Sequence, residues 1–265
     1  TEAMSPGEVA RTLLDRGIDY FTAYVCENLG SPDERVTHAT LAELVGHPFS
    51  PLNVMILVRD PDTPDRPREM VGRRLFGNPD EMFLQSRPKR GLLTPAEVRC
   101  LALAEMDLGL TSIVWDVGAG SGSVSIEAAQ LAKYGEVYAI EKDLEDHQLI
   151  QANAERFAVR NLTPVLGQAP DVWRNLPDPD AIFVGGTGRQ IGWIFEQAYG
   201  RLRPGGRLVA NVVSIENVAE IQRLAHQLGA ETNVWMIGVA RSTQQLETTR
   251  FEAAHPTFLI ATIKP

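Results

Sequence analysis

Apolar and polar positions along residues 92–265 predict an alternation of strands and helices. Short apolar runs rich in Val and Ile predict buried strands, and the amphipathic runs between them predict helices. Strands are predicted at 112–118, 136–142, 162–168, 181–186, 206–213, 231–241 and 257–263, and helices at 96–108, 122–133, 144–159, 188–202 and 216–228. Such alternation favours a mostly parallel sheet covered on both faces. The last two strands have no helix between them, so they are expected to pair as an antiparallel hairpin at one edge.

The first 75 residues show a different pattern, with fewer elements and no glycine-rich ligand loop. Ser5-Pro6-Gly7-Glu8 is typical of a helix start, with Ser5 as the cap, Pro6 at the first helical position and Glu8 completing a capping box. Strands are predicted at 21–29 and 52–58, and a short helix at 40–44. With 265 residues, two domains are expected: a small α+β domain at 1–75 and a larger α/β domain at 76–265.

The stretch from Ser112 to Gly122 joins a predicted strand to a predicted helix through three glycines at alternate positions. Gly118, Gly120 and Gly122 allow positive φ and have no Cβ, so the backbone can approach a ligand closely. The first turn of the following helix offers free N–H groups to an anionic part of that ligand. Asp116, just before the turn, is expected to accept hydrogen bonds from loop N–H groups or from a ligand ammonium.

An acid at the end of the next strand supports a nucleoside site. Glu141 follows Gly118 by 23 positions, near the roughly 20-residue spacing at which a carboxylate receives ribose hydroxyls. Ser123 stands where the dinucleotide fingerprint requires a third Gly or an Ala, which favours S-adenosyl-L-methionine over a nicotinamide or flavin cofactor. The strand and helix order matches the seven-stranded, Rossmann-like sheet of the class I S-adenosylmethionine-dependent methyltransferases.

Composition argues against several other functions. The net charge of −9 disfavours nucleic acid as a partner, because such binding depends on Lys and Arg neutralising phosphates. Neither Cys26 and Cys100 nor the five histidines show metal-ligand spacing, so no metal site and no disulfide is expected. No apolar stretch reaches the roughly 20 residues that span a bilayer, and the first residues lack the pattern of a signal peptide. A soluble, cytoplasmic protein without a membrane partner is therefore expected.

Four motifs of the second domain are similar to one enzyme family: residues 91–99 (GLLTPAEVR), 115–122 (WDVGAGSG), 167–170 (GQAP) and 183–186 (FVGG). They resemble the decarboxylating precorrin-6Y methyltransferases of cobalamin (and thus porphyrin-type) biosynthesis, over about residues 75–265. The resemblance implies methylation of a precorrin, a tetrapyrrole, at carbon 15 and decarboxylation of the acetate on carbon 12. It also implies a homo-oligomer, since relatives of this domain form tetramers.

Two motifs of the first domain, residues 27–36 (ENLGSPDERV) and 49–54 (FSPLNV), look like the C-terminal half of a tetrapyrrole methylase domain. In fused members of the family, that domain methylates carbon 5 and precedes the carbon 15 domain. Its N-terminal half is missing from the sequence. The resemblance therefore implies a partial fusion enzyme that lacks carbon 5 methylation by itself.

The resemblance assigns cofactor contacts to Thr94, the loop 118–122, Glu141 and Ala169. Thr94 is also predicted to cap the helix that Pro95 opens. Ala169 is expected to pack beside the adenine, and Gln168, where the family usually has an acid, to accept a hydrogen bond from the adenine amino group. The predicted cofactor-binding residues are Thr94, Asp116, Gly118, Ala119, Gly120, Ser121, Gly122, Glu141, Lys142, Gln168 and Ala169.

Substrate contacts are predicted at the end of the fourth strand and at basic residues. Gly185 and Gly186 leave space where amino-group methyltransferases carry a Pro-Pro-aromatic segment, which argues against methylation of an exocyclic base nitrogen. Arg suits the several carboxylates of a precorrin. The candidate cations are Arg87, Lys89, Arg90, Arg189, Arg241 and Arg250. No catalytic acid or base is assigned, because methyl transfer to an electron-rich carbon depends mainly on alignment.

Two other functions stay open on the sequence. A class I methyltransferase acting on RNA or protein carries a related glycine loop, and RNA methylation without tetrapyrrole binding identifies it. A non-catalytic partner protein is the other alternative. Binding of S-adenosylmethionine separates that alternative from an enzyme.

Overall fold

The computed structural model describes residues 4–60, 72–86, 93–186, 188–245 and 248–265, without the side chains of Arg189 and Gln245. The chain divides into two compact units, Thr1–Arg73 and Arg74–Pro265. Each unit has its own sheet and its own core. None of the helices in the described ranges has both the length and the apolar character that crossing a bilayer requires.

The first unit is an antiparallel three-stranded sheet with two helices. Its elements are α1 (Pro6–Asp15), β1 (Phe21–Glu27), β2 (Arg35–Thr40), α2 (Leu41–Leu44) and β3 (Asn53–Arg59). β1 lies between β2 and β3. Alternate residues of β1, Ala23 and Val25, pack with Ala10 of α1 and with Leu41 and Leu44 of α2 to form the core.

Side-chain caps fix where these helices begin. The Ser5 hydroxyl accepts the N–H of Glu8 at 3.3 Å, so the predicted cap is confirmed. The predicted capping box is only half formed, because the Glu8 carboxylate pairs along the helix surface with Arg11 at 3.0 Å. A complete capping box occurs in α2, where Thr40 and Glu43 exchange hydrogen bonds.

The second unit is built on a seven-stranded sheet, which confirms the predicted fold class. Its strands are β4 (Ile113–Val117), β5 (Glu136–Glu141), β6 (Leu162–Leu166), β7 (Ala181–Val184), β8 (Arg207–Val212), β9 (Thr232–Ile237) and β12 (Thr257–Ile263). Their order is β6-β5-β4-β7-β8-β12-β9. The pairs from β6 to β8 are parallel, and β12 runs antiparallel to both β8 and β9.

Helices cover this sheet on both faces. They are α3 (Ala96–Met106), α4 (Ser123–Leu131), α5 (Leu144–Arg156), α6 (Ile191–Arg201) and α7 (Ile215–Gln227). Side chains of β4 alternate between two cores: Val114 packs with α3 and α4, whereas Trp115 and Val117 pack with α6 and α7. Because the strands from β4 to β8 are parallel, their carboxyl ends meet at one edge, and that is where the connecting loops converge.

The predicted strand at 231–241 is wrong in its extent. It is two strands, β9 and β10 (Ala240–Gln245), with Gly238 between them. β10 pairs with β11 (Thr248–Ala253) in a separate two-stranded sheet. A glycine offers no side chain to pack in a strand interior, and the polar run after Gly238 does not suit a buried sheet. The chain therefore leaves the main sheet there and returns as β12.

The predicted cap at Thr94 is also wrong. Pro95 occupies the cap position of α3, with extended ψ of 149°, and no side chain caps this helix. The Thr94 carbonyl instead accepts a hydrogen bond from the guanidinium of Arg99 at 2.5 Å.

Candidate functional site

The glycine loop between β4 and α4 has the backbone conformation that its composition requires. Gly118, Gly120 and Gly122 have φ of 77°, 55° and 83°. A Cβ on Gly118 would lie 2.0 Å from the carbonyl oxygen of Gly185, so a side chain there would collide with backbone. A Cβ on Gly120 would meet no atom within 4 Å. The loop is therefore packed at Gly118 and open at Gly120, as a surface that receives a ligand would be.

Glu141, the last residue of β5, organises the loop. Its Oε2 accepts the N–H of Gly120 at 2.9 Å, and its Oε1 accepts the N–H groups of Lys142 and Asp143 at 2.8 and 3.0 Å. The side chain is only 8% exposed. A carboxylate has about four lone-pair positions, so capacity remains for a ligand hydroxyl.

Asp116 lies behind the loop, in the interior. Its Oδ2 accepts hydrogen bonds from the N–H and the hydroxyl of Ser125 in the first turn of α4. Its Oδ1 is buried without a partner among the described residues. Burial raises the pKa of Asp116 to about 7, although the Ser125 hydrogen bonds act in the opposite direction. This carboxyl group joins β4 to α4, and its partner is the helix rather than the glycine loop.

A cleft opens at the carboxyl ends of β4, β5 and β6. Its empty volume is about 430 Å³, including the part open to solvent. Gly167 follows β6 with φ of 145°, and a Cβ there would lie 2.2 Å from Cγ1 of Val172. Gln168 reaches Gln190 with its Nε2 at 3.4 Å from Oε1. The lining residues are Val117, Gly118, Ile140, Glu141, Lys142, Gly167, Gln168, Ala169, Gly186, Gln190 and Ile194.

The cleft combines an anchored carboxylate, open backbone and small side chains. Glu141 can receive the hydroxyls of a ribose, while Ala169, itself buried, leaves room for a flat ring. On the other side of the cleft, Gly186 has φ of 63° and lies beside Gly118. This arrangement has the size and the polar groups to hold a nucleoside.

Comparison with known proteins identifies the family. The family described as "precorrin methyltransferase domain" matches residues 88–264. The chain belongs to the precorrin methyltransferase family. A solved structure of precorrin-6Y C5,15-methyltransferase from Geobacter metallireducens is 32% identical, with a TM-score of 0.68 over 72% of this chain and 100% of that one.

Two curated relatives align with different lengths of this precorrin methyltransferase. A probable cobalt-precorrin-6B C(15)-methyltransferase (decarboxylating) from Pyrobaculum calidifontis is 38% identical over 186 residues, 69% of this chain and 94% of the relative. A precorrin-6Y C(5,15)-methyltransferase [decarboxylating] from Sinorhizobium is 33% identical over 242 residues, 91% of this chain and 56% of the relative. The second alignment extends beyond the larger unit.

The structure brings some predicted site residues of the precorrin methyltransferase together and leaves others apart. Arg241 is held by carboxylates: its guanidinium binds both oxygens of Glu97 at 3.0 and 2.7 Å and Oδ2 of Asp80 at 3.2 Å. These contacts raise its pKa. Arg250 is exposed on β11. Arg87, Lys89, Arg90 and the side chain of Arg189 lie outside the described part of the structure. The predicted residues that line the cleft are Gly118, Glu141, Lys142, Gln168, Ala169 and Gly186.

Asn153 is a structural residue of the site that the sequence analysis missed. It lies fully buried on α5, where its Nδ2 donates to the carbonyl oxygens of Ser121 at 2.9 Å and Leu84 at 3.0 Å. Its Oδ1 accepts the N–H of Leu84 at 2.7 Å. Asn153 thus ties the glycine loop to the segment before α3. Its position three residues after buried Ile150, on the apolar face of the helix, was the available signal.

A second missed feature is a buried ionic cluster around Arg99 of α3. Arg99 donates to the carbonyl oxygens of Thr94 and Asn78, both at 2.5 Å, and to Oδ1 of Asp80 at 3.2 Å. Its Nε lies 3.1 Å from Oε2 of Glu127 on α4, without the alignment of a hydrogen bond. Arg99 and Glu127 are both fully buried. The cluster therefore links Thr94, through Arg99, to α4, the helix that follows the glycine loop.

Proposed function

We propose that this chain methylates a precorrin at carbon 15 and decarboxylates the acetate on carbon 12, with S-adenosylmethionine as the methyl donor. The observation that carries the proposal is the cleft in which Glu141 and the glycine loop meet, in a chain of the precorrin methyltransferase family. The relatives from Pyrobaculum calidifontis and Sinorhizobium carry names of this activity. The chain acts on the precorrin or the cobalt-precorrin form.

The cleft residues fit the cofactor chemically. Glu141 binds the ribose hydroxyls, Ala169 packs beside the adenine, and Gln168 offers its amide oxygen to the adenine amino group. Lys142 and the loop from Gly118 to Gly122 enclose the rest. When bound, S-adenosylmethionine supplies an electrophilic methyl group on a sulfonium. Asp116 and Thr94 support the cleft without lining it. Asp116 accepts a hydrogen bond from Ser125 of α4, and the carbonyl of Thr94 accepts one from Arg99 of α3.

The chain contributes mainly position to the reaction. Holding two reactants in line supplies roughly 7 to 11 kcal/mol of a barrier. Carbon 15 would form a bond to the methyl carbon while the bond from that carbon to the sulfonium sulfur breaks, which leaves a neutral thioether, and the ring system would then lose a proton. In the decarboxylation, the bond to the carboxyl carbon breaks, carbon dioxide leaves, and the electron pair passes into the conjugated macrocycle before a proton is taken up. Gly185 and Gly186 give the macrocycle access to the methyl donor, and Arg250, exposed on β11, is available to its carboxylates, whereas Arg241 is already bound by Glu97 and Asp80.

Mass spectrometry of the product tests the proposal. The chain is incubated with the tetrapyrrole precursor and S-adenosylmethionine, because methyl addition and loss of carbon dioxide change the mass independently. A product with one added methyl and without one carbon dioxide is expected. No change in mass, with cofactor binding demonstrated by calorimetry, would overturn the proposal. Methylation of RNA or protein in parallel reactions would then identify the alternative.

We also propose that the chain self-associates. The β10–β11 sheet has only two strands, and a two-stranded hairpin is marginally stable in water without further cover. Phe251 is 72% exposed on the face of this hairpin opposite Arg241. Light scattering coupled to size-exclusion chromatography should give a mass above one chain, and Phe251→Ser should lower it. A monomeric wild-type protein would contradict this proposal.

The first unit is proposed as the C-terminal half of a tetrapyrrole methylase-like domain, residues 1–75, preceding the methyltransferase domain at 76–265. Its support is the alignment with the Sinorhizobium relative, which covers 91% of this chain. A separately expressed first unit allows a direct test by binding of a tetrapyrrole. If the first unit does not bind a tetrapyrrole, it does not contribute to ligand binding.

A further inference from the structure

Two apolar side chains are exposed at the carboxyl ends of the parallel strands, where the cleft lies. Val213 follows β8 and Ile215 begins α7, and each is 67% exposed. Ser214 between them is extended, with φ of −115° and ψ of 147°. Residues two apart in extended chain project to the same side. Val213 and Ile215 therefore form one small apolar surface in a loop, where exposed residues are usually polar.

The strand register places this surface beside the cleft. β7 and β8 are parallel neighbours, and Val184 pairs with Ala210. Two residues further along each chain lie Gly186 and Val212. Gly186 lines the cleft, and Val213 comes directly after Val212. The apolar surface thus continues from the glycine pair at the end of β7, on the side away from Glu141.

A hairpin with an exposed arginine lies on the far side of the same surface. β9 ends at Ile237, which pairs with Thr257 at the start of β12. Since Phe258 pairs with Val212, the β10–β11 hairpin leaves the sheet at the carboxyl end of β8. This hairpin carries Arg241 and Arg250 on one face, because their partners in the register are Glu252 and Thr243. Glu97 and Asp80 already bind Arg241, so Arg250 is the arginine of this face that is available to a ligand. An apolar surface bordered by an exposed arginine matches a flat ring system with carboxylates at its rim.

We propose that Val213 and Ile215 form the surface on which one face of the tetrapyrrole macrocycle lies during methyl transfer. The inference rests on the proposed function and adds the residues that select the shape of the methyl acceptor. Their role is specificity rather than chemistry. They hold the ring against Gly186, where the methyl group arrives, and Arg250 of the hairpin binds one of its carboxylates.

The test compares steady-state kinetics of wild type, Val213→Thr, Ile215→Thr and the double variant. Thr keeps the branch at Cβ; it replaces a methyl by a hydroxyl in Val213→Thr and an ethyl group by a hydroxyl in Ile215→Thr. KM for the precorrin should rise about fivefold in each single variant and more in the double variant, because each buries less apolar surface. The dissociation constant for S-adenosylmethionine and the melting temperature should not change. Ile263→Thr is the matched control, since Ile263 is exposed at the opposite edge of the sheet, paired with Arg207.

The outcomes separate this inference from the proposed function. If wild type methylates the precorrin and the double variant has the same KM, the surface does not bind the macrocycle and the inference is wrong. If KM rises equally in Ile263→Thr, the effect is general rather than local, and the inference is wrong as well. If wild type binds S-adenosylmethionine but leaves the precorrin unchanged, the proposed function fails first.

Discussion

The carboxylate of Glu141 accepts a hydrogen bond from the backbone N–H of Gly120 at 2.9 Å. An acid at the end of one strand thereby holds the glycine loop that follows the neighbouring strand. In the proposed function, the same carboxylate binds the ribose of the cofactor. In this proposal Glu141 has two roles, namely holding the shape of the loop and binding the nucleoside.

Glu141→Gln is expected to weaken binding of S-adenosylmethionine about tenfold or more, since hydrogen bonds to a charged acceptor are lost. In wild type a carboxylate oxygen accepts from the backbone N–H groups of Lys142 and Asp143. In the variant the side-chain NH2 group faces either these N–H groups or that of Gly120, and two donors cannot pair. Isothermal titration calorimetry measures the change. Glu155→Gln, an exposed substitution on α5, is the control and should bind as wild type does. Equal affinity in both variants would remove Glu141 from the cofactor site.

Gly118→Ala is expected to lower the free energy of unfolding by about 2 kcal/mol or more, because positive φ and a backbone collision combine. The new Cβ would lie 2.0 Å from the carbonyl oxygen of Gly185. Gly120→Ala is the matched comparison, since its φ is also positive but its Cβ enters open space. Gly120→Ala should fold nearly normally and still lose cofactor affinity. Urea denaturation and calorimetry on both variants give the two measurements, and equal stability would contradict the close contact.

Asn153→Ala is expected to lower cofactor affinity without touching the cleft. It removes the donor to Ser121 and leaves the N–H and carbonyl of Leu84 without their side-chain partner. The free energy of unfolding should fall by about 2 kcal/mol, the cost of leaving buried polar groups unpaired. Gln151→Ala, exposed on the same helix, controls for helix propensity. Calorimetry at a temperature where both variants are folded decides whether the loop has been loosened.

The fold was predictable from local pattern because the strands of the parallel sheet are short and mostly apolar, as in I-V-W-D-V of β4 and A-I-F-V of β7. β2 was missed because R-V-T-H-A-T lacks such a run and is exposed at the edge of its sheet. The glycine loop and Glu141 were predictable because their spacing reflects contact along neighbouring strands. The burial of Asn153 was indicated by its place on the apolar face of α5, but its partners Ser121 and Leu84 were not, because they are distant in sequence. The cluster around Arg99 was not predictable for the same reason.

Asp116 makes the stability of the second unit dependent on pH in a direction opposite to that of most carboxylates. Its pKa is raised from 3.8 to about 7, chiefly by burial. Between these two values the folded protein holds a proton that the unfolded chain releases. The stabilising contribution is therefore fully present below about pH 4 and is lost as the pH rises through about 7.

Asp116→Asn removes this titration while keeping an oxygen that accepts from Ser125. Relative to wild type, the variant should gain up to about 3 kcal/mol in the free energy of unfolding between pH 5 and pH 8. Urea denaturation at the two pH values gives the comparison, with exposed Asp171→Asn as the control. If the difference between wild type and Asp116→Asn is the same at both values, Asp116 is ionised throughout. The unpartnered Oδ1 would then carry charge in the interior, and the loop would depend on α4 for its compensation.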